Sequence, residues 1–302
     1  MERKLIKQGG GGYTIYLPKK WVEKKNLKQG DFVKISETDN ELIIGSDIKG
    51  EKDLTIDITK ENEKNLKNIL THAYRKGFNK IKINSAKDYL INEIKKITNE
   101  LLLGFEITEK TDEYCIIENI SEPHEDKYEV ILKKVFLIIK ENQELMKDLK
   151  INFEEISEMK NNSDKFILFC RRLLIKEKYQ KNIILEWEFL TFLMHISHAY
   201  YYLCKYAYEN KVVFNSEAIK YLKALQNYYI LLEDAYENKN INSIHKINEL
   251  RLNYHFGPIQ KSIEKSKGKN SVILSYIREI FRWIQLGTSP IYGIIFDKSN
   301  ED

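Results

Sequence analysis

Eight basic side chains fall within the first thirty residues: Arg3, Lys4, Lys7, Lys19, Lys20, Lys24, Lys25 and Lys28. Only two acids, Glu2 and Glu23, oppose them, which leaves a local charge of +6. Clustered cations make a local field that the whole-chain sum hides, and a row of phosphates is the polyanion such a field suits. Further along, His195 and His198 stand three apart on a helical pattern, a spacing at which two imidazoles can ligate one transition metal. Their segment is crowded with aromatics (Trp187, Phe189, Phe192, Tyr200, Tyr201, Tyr202), and histidines in such a helix more often make interhelical hydrogen bonds. Arg171 and Arg172 could face an anion, although arginines on a helix surface more commonly pair with acids. No catalytic constellation stands out: there is no HExxH, no dinucleotide fingerprint, and no Gly-Lys-Ser/Thr after Gly9–Gly12. A non-enzymatic protein with no cofactor is the expectation.

The elements that must position these residues follow from pattern. A chain of 302 residues exceeds what one hydrophobic core usually holds, so two or three domains are expected. Hydrophobic residues at 42% and charged ones at 31% exclude a disordered tail, and a net charge of +4 does not by itself announce a nucleic-acid binder. Three isolated cysteines, Cys115, Cys170 and Cys204, argue against a disulfide framework and for a reducing compartment. The N-terminus lacks an apolar signal segment, and stretches such as Val135–Ile139 fall far short of the ~20 residues a bilayer span needs. A cytoplasmic protein without membrane insertion is expected.

Residues 1–50 read as short strands. Tyr13–Leu17 is β-branched and aromatic and is stopped by Pro18. Phe32–Ile35 and Glu41–Ile44 flank the turn signal Thr38-Asp39-Asn40, and Lys19–Lys25 makes one or two helical turns. Residues 53–119 predict the order β-α-β-α-β-β: strand 54–58, a helix from Thr59 to Lys76, strand 80–83, helix 88–103, and strands 105–108 and 114–118. Such an order implies a small α/β sandwich with its helices on one face. After a polar linker at 120–126, helices are predicted at 127–149, 152–178, 182–209, 216–238, 241–266 and 271–296, with a kink at Gly287–Pro290. Six helices with short joins form antiparallel bundles, and two groups of three suggest an internal duplication. The fold class is therefore α+β and multidomain: 1–50, 53–119 and 125–297.

The run Arg3-Lys-Leu-Ile-Lys-Gln-Gly-Gly-Gly-Gly-Tyr-Thr-Ile-Tyr-Leu-Pro18-Lys-Lys-Trp21, followed by Leu27-Lys-Gln-Gly30-Asp31-Phe-Val-Lys-Ile35, resembles the AbrB/SpoVT/MazE family. The shared features are a basic first strand, a Gly-containing turn, an apolar strand ending in Leu-Pro, a short helix, then Leu-x-x-Gly-Asp-x-Val. The resemblance implies a swapped-hairpin β-barrel built by two chains and a DNA-binding role. Four short strands cannot bury a core alone, so an obligate homodimer, or a higher homo-oligomer containing it, agrees with that. Arg3, Lys4, Lys7, Lys19 and Lys20 would touch phosphates, and Tyr13 or Thr14 a backbone or base edge. Members that bind DNA strongly often carry Arg directly after the turn glycine. Tyr13-Thr14 in that place leave mainly electrostatic, salt-sensitive contacts.

The remainder resembles PhoU-like phosphate uptake regulators of the archaeal type. Tyr74–Ile83, Leu102–Glu109 and Ser163–Leu173 carry that likeness. PhoU proteins bear acidic E-x-x-x-D motifs on the third helix of each repeat. The matching stretches here are Leu193–Ala199, without acids, and Tyr276–Leu286, with Glu279 but no acid four residues on. No metal is therefore expected, His195 and His198 being the remaining candidates. Together the two likenesses imply a transcriptional regulator that binds double-stranded DNA and is linked to phosphate uptake. The alternative is a dimeric scaffold that does not bind DNA and acts on a phosphate transporter or a signalling protein such as a sensor kinase. An antitoxin role, the third option, usually goes with a short disordered tail.

Overall fold

The computed structural model describes residues 2–37, 42–46, 53–84, 88–121, 127–146, 152–176 and 182–298. The chain is an α+β protein, mostly helical, with small sheets and no closed barrel among the described residues. It divides into two compact units, 1–52 and 53–302.

The first unit holds two antiparallel hairpins and one short helix. Strands β1 (Ile6–Lys7) and β2 (Tyr13–Thr14) pair around the glycine run, with Gln8 N–H donating to Gly12 O at 2.9 Å. Gly10 and Gly11 adopt φ of 92° and 95°, a conformation closed to ordinary side chains, which is why the turn is built of glycine. The strand expected over Tyr13–Leu17 pairs only at its first two residues. Helix α1 (Lys19–Lys24) starts at Pro18, whose missing N–H costs nothing in the first turn. Asn26, at φ 52°, closes it by letting Leu27 N–H reach Val22 O. Strands β3 (Val33–Glu37) and β4 (Leu42–Ser46) pair in register Ile35 to Ile44. Their turn, expected at Thr38–Asn40, lies outside the described residues.

The second unit begins with β5 (Asp53–Asp57), β6 (Lys80–Asn84), β7 (Phe105–Lys110) and β8 (Tyr114–Asn119) in the spatial order β5-β6-β8-β7. Strands β5 and β6 are parallel, joined through helix α2 (Leu66–Arg75); the other pairs are antiparallel. Leu54, Ile81 and Ile117 align across the sheet, as do Ile56, Ile83 and Cys115, so one face is apolar. Helix α2 and helix α3 (Asp88–Leu101) meet this face with Leu66, Leu70, Tyr74, Leu90, Ile94 and Leu101. The β-α-β-α-β-β order read from the sequence is present. The first helix starts seven residues later than Thr59, because Asn62 Oδ1 accepts from Thr59 N–H and holds the chain in a turn.

The helices that follow are α4 (Tyr128–Leu145), α5 (Phe153–Lys176), α6 (Ile183–Glu209), α7 (Ser216–Glu237), α8 (Ile241–Arg251), α9 (Pro258–Lys265), α10 (Lys269–Leu286) and α11 (Thr288–Lys298). Asn182, Asn215 and Asn240 cap α6, α7 and α8, each side chain accepting from N–H groups of the first turn. The helix expected over 241–266 is broken: Leu252–Phe256 widens into a π turn, and Gly257 ends it, with Leu252 O occupying the space a Cβ would need. The helix expected over 271–296 is two, divided at Gly287, inside the stretch where a kink was predicted. The predicted breaks at 150–152 and 180–182 and the linker at 120–126 lie largely outside the described residues.

Helix α6 packs against α4, α5, α10 and α11, and α5 packs in turn on α2 and α3. The boundary expected between 119 and 125 therefore falls inside one compact unit, whose core runs from the sheet into the helices. Phe136, Phe189, Tyr229 and Tyr236 make a clustered aromatic center, with Phe189 and Tyr236 stacked at 4.5 Å. The tyrosine-rich runs contribute Tyr200, Tyr228 and Tyr229 to that interior, whereas Tyr202 stands half-exposed. No helix of the described residues is long and apolar enough to cross a membrane.

Candidate nucleic-acid interface

In the first unit the described basic side chains are all at the surface. Arg3 and Lys4 precede β1, and Lys7 lies within it. Lys7 faces Tyr13 across the hairpin, and Ile6 faces Thr14, so strand pairing brings Lys7, Tyr13 and Thr14 together. Lys19 and Lys20 open α1 immediately after Pro18 and are exposed. Lys19 has Glu23 one turn on at 3.7 Å, an exposed pair of little energetic weight. Pro18 fixes where the lysines begin; the glycine turn fixes where Lys7 and Tyr13 meet.

The described residues of this unit form no buried core. None of its described residues is buried. Leu5, Ile6, Tyr13, Ile15, Tyr16, Phe32, Ile35 and Leu42 are exposed, Phe32 at 87%. Full burial of one such side chain contributes about 1.5–3 kcal/mol, so eight left in water are a large unspent driving force for association.

The second unit gives His195 and His198 separate surroundings. His198 Nε2 lies 2.7 Å from Asp164 Oδ1 on α5, and Lys160 Nζ reaches the other oxygen at 2.7 Å. Burial raises the Asp164 carboxyl, but the His198 and Lys160 contacts together outweigh it and hold the group below its ordinary value. His195 instead stacks on Trp283 at 4.4 Å, and burial, then His198 and Arg171, lower its pKa. The two imidazoles thus serve different partners. No group of three His, Cys, Asp or Glu side chains among the described residues is placed to hold a metal ion. All three cysteines are buried, and none is in a disulfide.

Arg171 and Arg172 are both buried, contrary to the surface role expected for them. Arg172 Nη1 donates to Tyr74 O and Phe78 O, and Nη2 to Asn79 Oδ1, each at 2.8 Å. Its guanidinium lies 5.0 Å from the Tyr74 ring and 4.8 Å from the Phe105 ring. It thereby closes the C-terminal end of α2, where unsatisfied carbonyls gather negative charge. Asp234 accepts from Asn238, Asn240 and Ser243, joining the end of α7 to the start of α8. The composition of these segments gave no sign of either role, since both depend on partners far away or on exact turn geometry.

Compared with known proteins, the chain matches no family model, no curated protein and no solved structure.

Proposed function

We propose that the chain is a dimeric, DNA-binding transcriptional regulator of the AbrB–PhoU type, linked to phosphate uptake and without enzymatic activity. The observation that carries this reading is the first unit, whose described residues form no buried core and expose a basic hairpin and an equally exposed apolar surface. A second copy of the same unit covers the apolar side by exchanging hairpins into a closed barrel. The dimer then offers Arg3, Lys4, Lys7, Lys19 and Lys20 twice, related by a two-fold axis, as a duplex with two half-sites requires. Tyr13 and Thr14 sit where they meet sugar, phosphate or a base edge. Phosphate contacts dominate such binding and make it strongly salt-dependent.

The test is a fluorescence-anisotropy titration with a duplex from the chain's own upstream region and a scrambled duplex, at two salt concentrations. Tighter binding to the upstream duplex supports a sequence-reading regulator. Equal, salt-sensitive binding reduces the role to electrostatic association. No binding at low salt overturns the reading in favor of a dimeric scaffold acting on a phosphate transporter or a sensor kinase.

A further inference from the structure

Arg171 on α5 is 3% exposed, and its Nε finds no acceptor. Its Nη2 donates to Thr191 Oγ1 at 2.7 Å, and Thr191 in turn donates to Trp187 O. The guanidinium lies 5.0 Å from the center of the Trp187 ring. Arg75, from the end of α2, approaches the same ring at 5.8 Å and touches the His72 imidazole at 2.6–2.7 Å. Two cations therefore share one aromatic ring, and neither forms an ion pair with a carboxylate among the described residues. The carboxylate whose charge acts on Arg171 is Asp164, two turns back on the same helix and already engaged by Lys160 and His198.

This arrangement is costly as it stands. A buried charge normally has an opposite charge beside it, and an orphaned buried donor forfeits about 1–3 kcal/mol. Burial, and then Arg75, pull the Arg171 pKa down to about 10. His72 also falls below its ordinary value, first through desolvation and then through Arg75, so it adds a neutral ring. Arg75 and Trp187 are only half-buried and His72 is exposed, which gives the cluster a side open to solvent.

We propose that Arg75 and Arg171 are the two arms of a binding site for a divalent tetrahedral oxyanion, a phosphate or sulfate group. Guanidinium forks match the oxygens of such a group geometrically, and two positive charges match its charge. A single carboxylate would leave one arginine uncompensated. The group can arrive as a free inorganic anion or as the phosphoryl end of a nucleotide. The site lies in the helical unit and is independent of the DNA-binding reading.

The experiment is calorimetric titration of the full chain with inorganic phosphate, sulfate, AMP and acetate at constant ionic strength, alongside thermal melts without ligand. Saturable binding of phosphate and sulfate identifies a free anion; saturation by AMP alone identifies a carried phosphoryl group. In either case Arg75→Gln weakens binding at least tenfold. Arg75→Gln also raises the melting temperature without ligand, since it removes a like charge beside Arg171; a merely structural arginine would lower it. The proposal is overturned if phosphate, sulfate and AMP all fail to saturate. It also fails if Arg75→Gln binds as wild type does or melts lower, or if acetate binds as tightly as phosphate.

Discussion

His198 Nε2 and Asp164 Oδ1 meet at 2.7 Å between α6 and α5, and Lys160 completes the contact from the turn below. Asp164 is buried, so it stays ionised only through these two partners. Because its folded pKa is below the unfolded one, the stability it contributes is present above the ordinary carboxylate pKa. That stability is lost as pH falls through the lowered folded value. Asp164→Asn is expected to cost roughly 2 kcal/mol at neutral pH. It should also make the urea midpoint fall less steeply than wild type below about pH 4. Parallel midpoint curves from pH 6 to pH 3 would show that the pair carries no linked proton.

Arg172 joins the α/β part of the second unit to α5. Arg172→Ala takes a donor from Phe78 O, from Tyr74 O, which keeps Gly77 N–H, and from Asn79 Oδ1, which keeps Lys176 Nζ, and is expected to destabilise this unit by roughly 2 kcal/mol or more. Arg172→Lys should recover little, since one ammonium cannot reproduce a fork aimed at three acceptors. Chemical denaturation of both variants checks this; a lysine variant as stable as wild type would reduce Arg172 to a simple charge.

The exposed apolar face of the first unit gives a test of dimerisation. Ile35, opposite Ile44 on the β3–β4 hairpin, is 60% exposed in the single chain. Ile35→Asp, placing a charge where the second copy should pack, is expected to shift sedimentation toward monomer and to weaken duplex binding at least tenfold. The melting of the second unit should remain unchanged. Retention of the dimer would mean that another surface holds the copies together.

Much of the helical pattern was legible because the sequence writes its own stops. Asn182, Asn215 and Asn240 stand at the caps, and the boundaries of α6 and α7 fall within one residue of expectation. The misses have local or long-range causes. Gly257 lies inside the single helix expected over 241–266, yet backbone crowding at Leu252 O requires glycine there and the helix breaks at it. Arg171 and Arg172 looked like surface cations because a charge on α5 says nothing of α2, ninety-odd residues earlier, closing over it. Asp164 was visible only as part of a family likeness; its pairing with His198 needed two helices in register. The basic cluster of the first unit was readable from charge, and its want of a core from the shortness of its strands; which apolar side chains stand exposed was not.

The salt dependence of duplex binding, compared between wild type and the Lys19→Ala, Lys20→Ala variant, is the measurement to make first. Each phosphate contact contributes about 0.9 to the slope of log affinity against log salt. Loss of both lysines should flatten that slope by about one for each phosphate contact removed and weaken all sequences alike. An unchanged slope with unchanged affinity would mean that these lysines do not touch DNA, and the scaffold reading would take the place of the regulator.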